Sequence, residues 1–259
     1  MLVRVDDAGT SLAANQGCEL AVSDGIARSI EVMMPGAWIS DAAQRFAHLP
    51  GVDIGIHLTL TSEWDRVKWR PLTNAPSLVD DQGFFHPLLK VGVGDDRPSV
   101  EGSAWNLSEV EAEFRAQIEL GIKLFPQANH ISSHMTRHFE DVDHRLGAMV
   151  RALAGHYGLL DDPLGTDGLP RVVGYPPFPR DAAPRVDAFI GMLAGLTEGT
   201  SIFVDHPAVL SDEMHGHGHD GYEDVAEDRA SCLAVLTDPR VAEAISRHSI
   251  ELISYRDLS

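Results

Sequence analysis

The sequence predicts an α/β protein whose parallel strands curl into an incomplete (β/α) TIM-like barrel, with about seven strands against the eight of a full barrel. Three observations carry this prediction. Short β-prone runs alternate with helical segments along most of the 259 residues, which argues for a parallel sheet with helices outside it. Several of those runs end on carboxylates or histidines, and strand C-termini are where β/α proteins place their chemistry. A long aromatic-rich stretch interrupts the alternation once, after the third strand.

The first strand starts at Leu2 and stops abruptly on Asp6 and Asp7, with Gly9 after it. Ser11 to Ser23 reads as a helix that Ser11 can cap. Arg28 to Met34 is a strand stopped by Pro35-Gly36, and Trp38 to His48 a helix closed by Pro50-Gly51. Val52 to Leu60 is the third strand. From Thr61 to about Asn106 the pattern breaks into Pro, Gly, Asp and aromatics, among them Trp64, Trp69, Phe84, Phe85 and Trp105. So long a connection is expected to cover a site or to form a satellite core. Alternation resumes with a helix over Leu107 to Leu124, where Ser108 and Glu111 fit a capping box. A strand over Ala128 to Ser133 ends at His134, and a helix covers Asp141 to Gly155. Arg171 to Val173 reads as a short strand before the loop Tyr175-Pro176-Pro177-Phe178-Pro179. Ala182 to Leu196 is helical, and Ser201 to Asp205 is a strand ending in His206-Pro207. A loop carrying His215, His217 and His219 is expected to be solvated, since Gly-separated histidines are not pre-organised. Helices over Glu223 to Leu236 and Pro239 to His248 and a closing strand over Ile250 to Ser254 complete the chain.

Composition narrows the function. The hydrophobic share of 44% suits one domain over residues 1–259 with ample core. A net charge of −19 argues against nucleic acid and anionic membranes as partners. No apolar run is long enough to span a bilayer and no signal-peptide pattern leads the chain, so a cytoplasmic protein is expected. Cys18 and Cys232, both in helical segments, are expected to be reduced and buried.

Four strand ends carry groups suited to one site: Asp6 with Asp7, His57, His134, and Asp205 with His206. An Asp with two histidines is a ligand set for one divalent ion; imidazole suits Zn2+ and other first-row metals, and carboxylate suits these and Mg2+. Such an ion acidifies water and polarises a carbonyl. The second carboxylate can take a proton, and a histidine across the pocket can protonate a leaving nitrogen. His130 and His134 compete for one ligand position, being on one face if helical. On a strand they lie roughly 13 Å apart, so His57 with His134 is the favoured pair and His130 is structural or supports a ligand.

The ordered set Asp6-Asp7-Ala8-Gly9, Gly55-Ile56-His57-Leu58-Thr59-Leu60, His130-Ile131-Ser132-Ser133-His134 and Asp205-His206-Pro207 resembles the YdjC-like carbohydrate deacetylases (the ChbG/HpnK group). Pro71-Leu72, the segment Ser77 to Phe85 and the C-terminal Ile250 to Leu258 match that group too. The resemblance implies a distorted barrel, a divalent metal that is often Mg2+, and removal of acetyl groups from N-acetylated sugars. It puts the metal ligands on Asp7, His57 and His134, the base on Asp6, and the acid or transition-state stabiliser on His206. The family usually has Asp where Ser132 stands and Gly where Ala208 stands. Loss of that supporting carboxylate is expected to weaken metal affinity about 10–100-fold. Trp64, Trp69 and Tyr175 are candidate platforms for a sugar ring. The expected partner is a small saccharide, and a homodimer is left open. Two other functions stay in view: a metal-dependent hydrolase of another amide or ester, and a non-catalytic saccharide-binding protein. A saccharide binder would keep its affinity after Asp6→Asn, His57→Ala and His134→Ala.

Overall fold

The computed structural model describes residues 1–92, 95–166 and 168–258. Its elements follow in the order β1 (Leu2–Ala8), α1 (Leu12–Ser23), β2 (Ser29–Val32), α2 (Ile39–Phe46), β3 (Asp53–Leu58), α3 (Leu107–Leu124), β4 (Ala128–Ser133), α4 (His144–Tyr157), β5 (Leu160–Asp161), α5 (Ala182–Ala194), β6 (Ile202–Asp205), α6 (Val225–Thr237) and α7 (Pro239–Arg247). The six strands form one parallel sheet in the order β5-β4-β3-β2-β1-β6, curled into a half-barrel. All strand C-termini therefore open on the same rim.

Two-residue periodicity divides the strands. Val3, Val5, Ile30, Val32, Ile54, Ile56 and Ile131 join the principal apolar core. The intervening residues are polar: Arg4 and Asp6 on β1, Ser29 and Glu31 on β2, His57 on β3, His130 and Ser132 on β4. Register aligns them, with Arg4 beside Ser29, Glu31 beside Gly55, Gly55 beside His130, and His57 beside Ser132. All are buried, so the concave wall of the half-barrel is a sealed layer of hydrogen-bonded polar groups.

Local signals set several boundaries. Ser11 caps α1, its hydroxyl accepting from Ala14 N at 2.9 Å. The capping box expected at Ser108 and Glu111 is not formed. Asn106 caps α3 by accepting from Ser108 N at 2.9 Å, and Glu111 pairs along the helix with Arg115. The strand count also differs from about seven. Ile250 to Ser254 makes only an isolated bridge, Leu2 with Ile253, because β1 is already flanked by β2 and β6. Arg171 to Val173 is likewise reduced to one bridge, Arg171 with Ile202, before Gly174 and the prolines end it. The two-residue β5 was not expected. Trp64, Trp69, Leu78, Phe85 and Val100, from the long segment after β3, pack into the principal core rather than a satellite. Cys18 and Cys232 are free thiols, both buried. Among the described residues no helix is long and apolar enough to cross a membrane.

Candidate active site

Strict alternation would send Asp6 and Asp7 to opposite faces. A register shift between Val5 and Ala8 prevents this, with Asp7 in the left-handed region at φ 69°. Asp tolerates that region better than most residues, and the bulge turns both carboxylates into one pocket. Arg4 grips Asp6 as a fork, Nε to Oδ1 at 2.7 Å and Nη2 to Oδ2 at 2.8 Å. Arg4 is itself held by Asp162 at 2.5 Å and by the Tyr255 hydroxyl at 3.1 Å. Asp7 Oδ2 accepts from Arg229 Nη1 at 2.8 Å. Asp7 Oδ1 is buried with no hydrogen-bond partner.

Two imidazoles face that bare oxygen. His57, at the end of β3, brings Nε2 to 3.9 Å from Asp7 Oδ1 and 3.7 Å from Asp6 Oδ2. His134, just past β4, brings Nδ1 to 3.3 Å from Asp7 Oδ1. Their other nitrogens are engaged: His57 Nδ1 lies 2.6 Å from Ser132 Oγ, and His134 Nε2 lies 3.1 Å from Glu63 Oε2. Ligand atoms of Asp7, His57 and His134 all fall within 4.8 Å of one another.

Charge is distributed unevenly over these groups. Burial alone would raise the pKa of Asp7, but Arg229, His206 and His134 hold it well below the usual carboxylate range. Burial, with His134 and Arg4 nearby, pushes His57 well below 6.5. Burial also opposes charge on His134, yet the carboxylates of Glu63 and Asp7 outweigh it and raise its pKa to about 10.

Around this centre lies a cavity of about 580 Å³, in the range of small-molecule sites. Asp6, Asp7, His57, His134 and His206 line it, as do Trp64 and Tyr175. His206 follows β6 and is half-buried. The Tyr175 hydroxyl donates to Asp205, and Arg185 covers its ring at 4.9 Å. The Trp64 ring meets Arg229 at 5.5 Å and stacks on His219 at 6.0 Å. Trp69 is buried beside His134, ring centroids 6.3 Å apart, with its Nε1–H donated to Thr61 O. His130 stays out of the ligand cluster, its Nε2 2.6 Å from Glu31 and its ring stacked on Tyr255 at 3.7 Å. The His215–His219 loop is not uniformly solvated: His215 is exposed, but His217 is buried against Trp64.

The donor set fits a divalent ion. Three ligand atoms converge, one from a carboxylate and two from imidazoles, while the remaining atoms of the same side chains are anchored by Arg229, Ser132 and Glu63. Such anchors fix tautomer and ring orientation at metal centres. Sequence reasoning did not reach Arg4, Glu31, Glu63 and Arg229. Arg4 and Glu31 left a signal, a charge in the middle of a strand flanked by Val and Ile. Glu63 and Arg229 left none, because neither sits at a strand end.

A family model described as YdjC-like protein matches residues 1–247. A carbohydrate deacetylase of Geobacillus stearothermophilus is 30% identical over 263 residues, covering 99% of this chain and 96% of its own. Another, from Vibrio vulnificus YJ016, is 26% identical over 269 residues, covering 100% and 96%. A crystal structure from Enterococcus faecalis V583, described as a cellobiose-phosphate cleavage protein, shares the fold. Its TM-score is 0.77 at 23% identity, over 100% of this chain and 98% of that one.

Proposed function

Because the chain belongs to the YdjC-like protein family, we propose that it is a metal-dependent carbohydrate deacetylase, hydrolysing the acetamide of an N-acetylated sugar or oligosaccharide. One observation carries the reading: Asp7 on β1, His57 on β3 and His134 just past β4 present ligand atoms within 4.8 Å of one another, Asp7 Oδ1 being buried without a hydrogen-bond partner. These three residues would hold one divalent ion, Mg2+ or Zn2+, which when bound supplies a Lewis acid for the acetyl carbonyl and a lowered pKa for water.

The protein's own groups do the rest. Asp6 is the base that takes a proton from the attacking water. Each of its oxygens accepts one bond from Arg4 and keeps a lone pair free. Arg4 aims that carboxylate, so the base is pre-positioned at no cost during reaction. His206, at the end of β6, gives a proton to the amine nitrogen as the C–N bond breaks, releasing acetate and the free amino sugar. Arg229 neutralises the outer oxygen of Asp7 and fixes the direction of its inner one. Trp64 and Tyr175 border the cavity and are the aromatic residues we assign to the sugar; Trp69 acts through packing on His134. Residues 1–259 serve this reaction as one domain, in the cytoplasm.

Acetate release from N-acetylglucosamine oligomers, after EDTA treatment and with Mg2+ or Zn2+ restored, tests the proposal. Turnover should require the ion and fall by at least ~100-fold in Asp6→Asn and in His206→Ala, within the range for acid–base groups. Wild-type protein that releases no acetate from any acetylated sugar would refute the substrate assignment.

A further inference from the structure

Behind His57 runs a buried chain of hydrogen bonds that the proposed reaction leaves unused. Glu31 on β2 is fully buried, and both of its oxygens are engaged. Oε1 lies 2.6 Å from His130 Nε2 and accepts from Ser29 Oγ at 3.1 Å; Oε2 accepts from the Ser132 hydroxyl. A hydroxyl has one proton to give. With that proton committed to Glu31, Ser132 Oγ can only accept from His57 Nδ1, 2.6 Å away. The ring proton then sits on Nδ1, and Nε2, the nitrogen facing Asp7, keeps its lone pair.

The surroundings are built for this carboxylate. A Cβ at Gly55 would stand 1.9 Å from Glu31 Oε2 and 2.4 Å from His130 Nε2, so β3 omits a side chain where the Glu31 carboxylate lies. Burial opposes the charge on Glu31, but His130 beside it and Arg4 beyond hold its pKa below the usual value, which keeps it an acceptor. Serine without this acceptor would have no such direction. Its hydroxyl could donate to Nδ1 instead, placing the ring proton on Nε2 and closing the ligand atom.

We infer that Glu31 is a positioning residue that acts through Ser132 to hold His57 as the Nδ1–H tautomer, with Nε2 open to a divalent cation. The inference rests on the metal reading of the site only for the identity of the occupant; the tautomer stands by itself.

Two measurements test it. Long-range 15N–1H correlation on the metal-free protein should show His57 protonated at Nδ1, and Ser132→Ala and Glu31→Ala should shift the ring toward Nε2–H. Calorimetric titration with Zn2+ should show affinity about 10–100-fold weaker in both variants. The double variant Glu31→Ser with Ser132→Asp, which puts a carboxylate directly on Nδ1, should recover most of the loss. A wild-type His57 protonated at Nε2 overturns the inference without any variant having to fold. So do single variants that bind Zn2+ as tightly as wild type, or a double variant no better than Glu31→Ala. Wild-type protein that binds no divalent ion but keeps Nδ1–H refutes the metal reading and leaves the relay standing.

Discussion

If Asp7, His57 and His134 hold the proposed ion, the pKa of His134 makes its affinity steeply dependent on pH. Metal-free His134 has a pKa of about 10, raised by Glu63 and Asp7 against the cost of burial. An ion held there would therefore displace a proton from Nδ1. The other two ligands need no such exchange near neutrality, since His57 is held neutral and Asp7 ionised. Three ligands thus release one proton between them. At pH 7 the imidazolium outnumbers the imidazole by roughly 1000 to 1, so apparent affinity lies about 1000-fold below its limit and rises about tenfold per pH unit. Between pH 6.5 and 8.5 the Kd for Mg2+ should fall about 100-fold. Calorimetry in buffers of different ionisation enthalpy should report about one proton released per ion. Glu63→Gln removes the largest favourable contributor, so it should flatten the dependence. A Kd that does not move over this range, or binding without proton release, would refute the assignment of His134 as a ligand displaced from its proton.

Two further outcomes follow from the same structure. In EDTA, the raised pKa of His134 stabilises the fold fully below pH 6.5, and that contribution is lost as pH climbs through about 10; urea denaturation should show falling stability over that window, and His134→Gln should show a shallower fall. Asn106→Ala removes the cap of α3 and should cost about 1 kcal/mol, whereas Ser108→Ala, at the position the sequence pattern favoured, should cost less.

The strand ends were legible because they follow from sequence order alone. Asp7, His57 and His134 each sit where a β-prone run stops, and the half-barrel brings those stops to one rim. The family resemblance divided the roles of Asp6 and Asp7, which local pattern left open. The device that makes both carboxylates usable was not legible: a positive φ at Asp7 depends on the shift against β2, a relation between strands that neither strand encodes separately. The same holds for Ile250 to Ser254. Its β-propensity is real, but a strand needs a free neighbour, and β1 had none to offer. Ser132 taken alone suggested a weakened centre, because its connection to Glu31 crosses from β4 to β2 over the gap at Gly55.

The concave wall explains why so many charges are buried under this site. Arg4 forms ion pairs with Asp6 and Asp162 that are almost wholly removed from water, and the Glu31 carboxylate is buried against His130. Such pairs rarely stabilise a fold more than apolar residues of the same volume would, because desolvation consumes most of the attraction. Stability is therefore a poor reason for them. Orientation is a better one: Arg4 aims Asp6, Glu31 directs the Ser132 proton and through it His57, and Glu63 does the same for His134. Breaking any of these pairs on one side leaves an uncompensated charge in a dry layer. The polar alternation within otherwise apolar strands thus fixes the geometry of the proposed centre from behind.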